Sequence, residues 1–306
     1  MNHIATAIIL TLSAAVLFSG CTSGAIEQSS DQTASKKTTP GLSSNVDSGK
    51  SEDKTIFMIH GMFCGPWVWD NYKTFFEKKG YRCVTTTLRF HDMDPNDAPN
   101  PQLGTTSLLD YAADLEKEIA KLDGKPIIMG HSMGGILAQI LGSRGLAKSL
   151  VLLTPASPSG INALKYSVIK SFWSNLATWG FWEKPMHLSF DDAVYAMLHL
   201  MPPEQQQEVY SQFGYESGCA GYEIGFWLLD SKDASRVNES DVTCPVLVIS
   251  GKEDRLTPAS VVKKVAEKYE SVSTYIEFEN HAHWVVGEPD WENIAEHIDS
   301  WLIKQS

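Results

Sequence analysis

PIIMGHSMGGILAQ, residues 126–139, is the stretch of this sequence that decides its fold. It opens with a short apolar run, passes through Ser132, which lies two residues from both Gly130 and Gly134, and continues into an apolar helical pattern. A short apolar run bounded by glycine predicts a strand buried on both faces. Glycine on either side of the serine predicts a turn too tight for neighbouring Cβ atoms, which holds the hydroxyl out of the backbone. The stretch therefore predicts a strand, a sharp turn carrying Ser132, and a helix.

Outward from this stretch, apolar runs alternate with helical patterns across residues 54–306. The other strand-like runs are TIFMIHG, YRCVTTTLRF, SLVLLTPA, PVLVISG and STYIEFE. Such alternation predicts an α/β fold with a mostly parallel central sheet, built of right-handed crossovers and flanked by helices. The pattern is interrupted at about residues 157–240 by mostly helical, aromatic-rich sequence, which we interpret as a helical lid inserted between two strands. Its aromatic side chains either pack the insertion onto the sheet or line an apolar substrate pocket.

Composition bounds the possible functions. The chain has 306 residues, of which 43% are hydrophobic and 20% charged, so it can form a sizeable core. Its net charge is −12 and its isoelectric point about 5.2, and no cluster of lysine and arginine occurs, which argues against nucleic-acid binding. The five cysteines include no Cys-x-x-Cys pair, so neither a zinc site nor a thioredoxin-like motif is indicated. Their pairing and the oligomeric state stay open.

The N-terminal segment differs from the rest of the chain. An apolar core of about fifteen residues, Ile4 to Phe18, is shorter than the roughly twenty that a membrane-spanning helix needs. We therefore predict that residues 1–21 are a signal peptide. The ending LFSGC resembles the lipobox of prokaryotic lipoproteins, which implies that Cys21 is acylated and becomes the N-terminus. An ordinary cleaved signal is the alternative.

Residues 22–53 carry almost no large apolar side chains, which predicts a flexible linker. A lipid anchor followed by a linker predicts an exported, membrane-anchored lipoprotein of a prokaryotic cell envelope. With an ordinary signal the protein is secreted instead.

Four motifs occur in an order that identifies a resemblance. HGM follows the first predicted strand, GHSMGG contains Ser132, GKEDRLTP follows a late strand, and HAHW follows the last one. From residue 54 to the C-terminus the chain resembles the α/β-hydrolase superfamily, whose catalytic triad runs Ser, then Asp or Glu, then His. The resemblance implies that Ser132, Asp254 and His283 are the catalytic residues of a serine hydrolase.

Each role has a chemical reason. Neutral imidazole suits the base that takes the serine proton, and a carboxylate orients that imidazole and stabilises its protonated form. Turnover should therefore fall in acid as His283 becomes protonated. His281 is an alternative base, and Glu253 an alternative acid. Two histidines two residues apart without a nearby third ligand are a weak signal for zinc, so no metal site is predicted.

The oxyanion that forms during acyl transfer needs two prearranged donors. One is expected to be the backbone N–H of Met133, which opens the helix after the serine. By resemblance to family members with a His-Gly-x motif, the second is the N–H of Met62, with Phe63 as a less favoured substitute.

The resemblance implies hydrolysis of carboxylic esters with small to medium apolar groups through an acyl-enzyme, with no cofactor. The expected partner is a small-molecule ester. Similar His-Gly-x-x-x-Gly-x-Trp-x-Trp stretches, here residues 60–69, occur in bacterial esterases and in plant methylesterases and hydroxynitrile lyases. A lyase or carbon-carbon bond hydrolase that uses the same triad is therefore an alternative. A ligand-binding lipoprotein without turnover is another.

Overall fold

A six-stranded parallel sheet forms the centre of the protein in the computed structural model, which describes residues 54–305. Its strands lie in the order β2-β1-β3-β4-β7-β8, and every neighbouring pair is parallel. Their bounds are β1 Thr55–Ile59, β2 Arg82–Thr85, β3 Ile127–His131, β4 Ser149–Leu153, β7 Val246–Gly251 and β8 Ser273–Phe278. The predicted α/β class with a parallel central sheet is confirmed.

The apolar sequences of the central strands explain why these strands lie in the middle of the sheet. Every residue of β1, β3, β4 and β7 is buried, as continuous apolar runs predict for strands covered on both faces. The outer strands β2 and β8 include exposed residues. Since all six strands run in the same direction, the loops that follow β1, β3, β7 and β8 meet at one edge of the sheet. These loops contain, at least in part, the four motifs HGM, GHSMGG, GKEDRLTP and HAHW.

Helices cover the sheet. They are α1 Asp70–Lys78, α2 Leu108–Ile119, α3 Met133–Ser143, α9 Ala259–Glu267 and α10 Trp291–Lys304, with short 3-10 turns at Pro66–Trp69, Pro101–Thr105 and Glu270–Val272. In α3 the ten residues from Met133 to Gly142 are all buried, because this helix is apolar around its whole circumference. The helix after Ser132 is thus held rigidly inside the molecule.

Between β4 and β7, the segment of residues 157–240, here called the lid, consists mainly of short helices. These are α4 Tyr166–Ser171, α5 Trp173–Leu176, α6 Phe190–Ala193, α7 Pro203–Tyr210 and α8 Gly218–Gly225, a π-helix at Val194–Leu198, and 3-10 turns at Phe181–Glu183, Trp227–Leu229 and Glu239–Asp241. A small antiparallel pair, β5 Pro185–Met186 with β6 Glu216–Ser217, joins them. Sequence patterning did not predict this pair, because two-residue strands are too short to show alternation.

A buried carboxylate fastens the lid to the core. Glu223 of α8 accepts hydrogen bonds from the Ser107 hydroxyl and the Leu108 backbone N–H, both at 2.7 Å, at the start of α2. Burial raises the pKa of Glu223 to about 7, while these two hydrogen bonds act in the opposite direction. The lid is therefore joined to the sheet layer by specific polar contacts as well as by apolar packing.

Within residues 54–305, no helix combines the length and the apolar character that crossing a membrane requires. The predicted signal peptide at residues 1–21, the predicted acylation site Cys21 and the predicted linker at residues 22–53 all lie outside the described residues.

Candidate active site

Ser132 occupies a strained turn between β3 and α3. Its φ is +54°, in the left-handed region that side chains other than glycine rarely adopt. A Cβ atom at Gly130 would overlap the Gly134 carbonyl, and one at Gly134 would overlap the Ile59 carbonyl. Glycine at both positions is therefore required for the turn to close against β1. The predicted strand, turn and helix around Ser132 are all present.

Backbone hydrogen bonds keep this turn in place. The Ser132 N–H donates to the Leu153 carbonyl at 3.0 Å, and the Ser132 carbonyl accepts from the Ala156 N–H at 2.9 Å. The turn is thus joined to the end of β4 and to the loop that follows it. These bonds fix the direction of the Ser132 side chain before any ligand arrives.

Asp254 and His283 form a buried hydrogen-bonded pair. His283 Nδ1 lies 2.9 Å from Asp254 Oδ2, and both side chains are buried. The other carboxylate oxygen, Oδ1, accepts the backbone N–H groups of Leu256 at 2.7 Å and Thr257 at 2.8 Å. The Thr257 hydroxyl lies 2.7 Å from Oδ2. A carboxylate held by this many donors can fix the imidazole ring with its proton on Nδ1, which leaves Nε2 as the basic nitrogen.

His283, the predicted base, packs beside the serine turn. His131, the neighbour of Ser132, has its Nε2 2.9 Å from the His283 carbonyl oxygen, and the Thr154 hydroxyl donates to the same oxygen at 3.2 Å. Burial and the nearby His283 lower the pKa of His131 to about 3, so its ring is neutral. His283 Nε2 is buried and has no hydrogen-bond partner within residues 54–305, Ser132 included. Such catalytic hydrogen bonds often form only once substrate is bound.

The alternative base bonds another carboxylate, and the alternative acid is exposed. His281 Nδ1 lies 3.3 Å from Glu288 Oε2, and its ring packs edge-on against Phe278. Glu253 is exposed, whereas Asp254 is buried against His283. Over the described residues, no group of three or more His, Cys, Asp or Glu side chains has an arrangement that could hold a metal ion.

The two predicted oxyanion donors flank Ser132. Met133 is the first residue of α3, and the Gly61–Met62 peptide passes close to the serine, since a Cβ atom on Gly61 would lie 2.9 Å from Ser132 Cβ. Phe63, the less favoured substitute, is buried with a φ of +64°, and its carbonyl accepts the N–H of Gly214 in the lid. Gly61, the residue that precedes the Met62 N–H, therefore packs directly against Ser132.

His60 orients that peptide, a role that sequence reasoning did not assign. Its Nε2 accepts the Leu88 N–H at 3.2 Å, so the ring proton is on Nδ1, which lies 2.9 Å from the Gly61 carbonyl. Burial and the neighbouring His91 lower the pKa of His60 to about 3, which keeps the ring neutral. In a trans peptide the C=O and N–H point in opposite directions. By holding the Gly61 carbonyl, His60 turns the Met62 N–H away from itself.

Glu288 braces the loop that carries His283, and the sequence carried no signal for it. One carboxylate oxygen accepts the Ala282 N–H at 2.8 Å and the other accepts the Trp284 N–H at 3.0 Å. The two donors are the residues on either side of His283, and Glu288 is fully buried. A single carboxylate thus holds the backbone of the base from both sides.

We expect Glu288→Gln to lower kcat by about 100-fold, because one of the two backbone N–H groups then faces an amide NH2 that cannot accept its hydrogen bond, and the imidazole moves out of line. Steady-state kinetics measure this change, with a thermal melt to confirm that the variant is folded. Glu292→Gln, on the exposed side of α10, is the matched control and should leave kcat unchanged. Equal effects in the two variants would contradict a bracing role for Glu288.

Ser132 lines a largely apolar pocket beneath the lid, with a cavity volume of about 90 Å³. Lid side chains that line it include Val168, Phe172, Phe181, Met186, Ile224 and Phe226, and Met62 and Thr257 contribute from the core. Other lid aromatics do not line it: Trp173 is 52% exposed and Trp179 is 65% exposed. Some lid aromatics therefore line the pocket, while others are exposed or, like Trp182 and Phe213, buried away from it. The lining favours an apolar ligand group.

Known proteins share this fold. The chain is similar to the methylesterase MES16 from Arabidopsis, with 13% identity and a TM-score of 0.61 over 81% of this chain and 99% of that one. It is similar to the Paleococcus ferrophilus monoacylglycerol lipase, with 18% identity and a TM-score of 0.58 over 82% and 95%. Tomato methylketone synthase I, solved with 2-tridecanone, gives 16% identity and a TM-score of 0.62 over 83% and 99%. At these identities the likeness shows the fold alone.

No curated protein matches the sequence. The family described as "Alpha/beta hydrolase family" matches residues 56–296, which is most of the chain and includes every residue of the site described above. The chain therefore belongs to the alpha/beta hydrolase family.

Proposed function

We propose that this protein is a serine hydrolase that cleaves carboxylic esters of small to medium apolar groups through an acyl-enzyme. The observation that carries the proposal is the buried His283–Asp254 pair, which packs against His131 next to Ser132, while Ser132 itself lines an apolar pocket. The similar folds of a methylesterase and a monoacylglycerol lipase are consistent with ester hydrolysis. In this proposal Ser132 is the nucleophile, His283 the base and Asp254 the acid that orients it.

The first half of the reaction transfers the acyl group. His283 Nε2 takes the Ser132 proton as Oγ attacks the ester carbonyl carbon, and the carbonyl electron pair moves onto oxygen. The N–H groups of Met62 and Met133 stabilise this oxyanion, and α3 adds the positive end of its dipole. When the oxyanion collapses, the bond to the alcohol breaks, and protonated His283 gives its proton to the leaving oxygen.

The second half returns the enzyme to its starting state. Water donates a proton to His283 Nε2 and attacks the acyl carbon, and collapse of the second oxyanion breaks the bond to Ser132 Oγ, which regains the proton. Asp254 stays ionised throughout and stabilises the imidazolium that forms in each half. The proposed reaction draws on no cofactor.

A series of p-nitrophenyl esters of increasing acyl length tests this function. We expect turnover with kcat/KM rising from acetate to medium chains as the apolar pocket fills, by roughly fourfold for each methylene group, since burying one contributes about 0.8 kcal/mol. Folded protein that turns over no ester, but does cleave a cyanohydrin or a diketone, would instead support the lyase or carbon-carbon hydrolase. Binding of an ester without any turnover would support the non-catalytic binder.

We also propose that the protein is exported and anchored to the prokaryotic cell envelope through acylated Cys21. The support is the sequence alone, a short apolar segment ending in LFSGC and followed by a polar stretch. Membrane fractionation of the full chain beside Cys21→Ser checks this proposal. We expect the wild type in the membrane fraction and the variant released from it. A wild type recovered without the membrane would favour an ordinary cleaved signal.

A further inference from the structure

One polar group in the apolar pocket has no partner. Ser157 lines the same pocket as Ser132 and is only 3% exposed. Its hydroxyl is buried, and it makes no hydrogen bond to any part of the chain that the structure describes. A buried hydroxyl left without a partner costs free energy, about 1–3 kcal/mol in typical proteins. Such a group in a ligand pocket is a candidate for contact with the ligand.

The other polar side chains of this pocket are engaged. The Thr257 hydroxyl lies 2.7 Å from Asp254 Oδ2 and 3.0 Å from the Thr154 carbonyl. The Asn175 amide nitrogen donates to the His187 carbonyl at 3.2 Å. Ser132 is the proposed nucleophile. Apart from the proposed nucleophile, Ser157 is thus the polar side chain of this pocket whose buried hydroxyl has no hydrogen-bond partner among the described residues.

Ser157 is held near the reacting centre. Its neighbour Ala156 donates its N–H to the Ser132 carbonyl at 2.9 Å, and Ala156 also lines the pocket. The Ala156 carbonyl in turn lies 3.2 Å from the Gln139 amide nitrogen in α3. Ala156, the residue before Ser157, is thus hydrogen-bonded both to the serine turn and to α3. Since Ser132 and Ser157 line the same pocket, an acyl group bound there can contact both side chains.

We propose that Ser157 determines substrate specificity by donating a hydrogen bond to an oxygen of the acyl chain. The substrate class is then an ester whose otherwise apolar acyl group carries an ether, keto or hydroxyl oxygen a few bonds from the carbonyl carbon. The inference rests on the proposed esterase function and refines its substrate. Sites that hydrogen-bond a substrate oxygen discriminate strongly against analogues without it, because the buried protein group is then left unpaired.

The test compares matched esters in three enzymes. The probes are p-nitrophenyl hexanoate and three esters of the same length in which an ether oxygen replaces carbon 3, 4 or 5 of the acyl chain. Wild type, Ser157→Ala and the control Ser159→Ala, whose side chain does not line the pocket, are assayed on all four. The inherent reactivity of each ester cancels when kcat/KM values are compared between enzymes.

At one of the three oxygen positions, we expect Ser157→Ala to lower kcat/KM by about tenfold or more, the worth of one buried hydrogen bond. The same variant should leave the hexanoate unchanged or improve it, because it removes an unpaired hydroxyl from an apolar wall. Ser159→Ala should behave as wild type with all four esters. If Ser157→Ala changes all four values by the same factor, or none of them, the proposal is wrong.

A second readout separates this proposal from the proposed function. Affinities of the corresponding four methyl esters are measured by calorimetry in Ser132→Ala, with and without Ser157→Ala. If the wild type cleaves no ester, the esterase function fails. A preference for one ether ester that is lost with Ser157→Ala would still support the contact to Ser157. Equal affinities for all four esters in both proteins would overturn it.

Discussion

Replacing Ser132 by alanine is expected to lower kcat for p-nitrophenyl esters by a factor on the order of 10⁶, which is the scale of losing a triad nucleophile. The reason is that His283 and Asp254 have no function in acyl transfer without a hydroxyl to activate. A residual rate above that in water should persist, since the Met62 and Met133 N–H groups and the pocket still bind the ester. Steady-state assays of the purified variant measure the loss.

The loss must arise from the hydroxyl and not from the fold. Ser143→Ala, at the other end of α3, is the matched control, because its hydroxyl only bonds the Ile140 carbonyl of its own helix. It should retain full activity. Alanine at position 132 relieves no backbone strain, so thermal melts of both variants should stay close to wild type. An active Ser132→Ala protein would contradict the nucleophile assignment.

Replacing His283 by alanine is expected to cost about as much as replacing Ser132, and the double variant should be no worse than either single one. Nucleophile and base act as a unit, so their losses do not add. His281→Ala is the control of identical chemistry two residues away. We expect it to lower kcat less than about tenfold, because Glu288 keeps its bonds to the Ala282 and Trp284 N–H groups without it. The measurement is kcat/KM for one ester across all variants.

The opposite ranking would reassign the base. If His281→Ala loses nearly all activity while His283→Ala retains it, His281 is the base and its partner is Glu288 rather than Asp254. If both retain activity, neither histidine activates the nucleophile, and the acyl-enzyme mechanism proposed here is wrong.

The parallel sheet could be predicted from sequence because its central strands are buried on both faces. The runs before Ser132 and in PVLVISG are continuous and apolar, and both are completely buried as β3 and β7. The β5–β6 pair could not be predicted, since two residues show no periodicity and the pairing joins Met186 to Glu216, thirty residues apart in sequence. The details of the lid depend on such long-range contacts rather than on local pattern.

The part of the candidate site that could be predicted is the turn at Ser132, because its sequence motif specifies a backbone conformation. Glycines at positions 130 and 134 are read directly as a tight turn, and the structure gives the steric reason for each. The resemblance already favoured Asp254 over Glu253, and the structure adds the physical difference between the two adjacent carboxylates, since Asp254 is buried against His283 and Glu253 is exposed. Glu288, His60 and Ser157 were missed for a related reason. Their roles lie in contacts to backbone groups and cavities that no sequence spacing reveals.

The central claim is that Ser132 forms a covalent bond to the acyl group, and labelling with diethyl p-nitrophenyl phosphate tests it most directly. This reagent leaves a stable diethylphosphoryl group on an activated serine, and mass spectrometry of the tryptic peptide 122–144, which contains Ser132 and Ser143, locates it. The account predicts one group per molecule, on Ser132, with activity lost in proportion and no labelling of His283→Ala. A label on any other residue, or full activity after Ser132 is labelled, would contradict it.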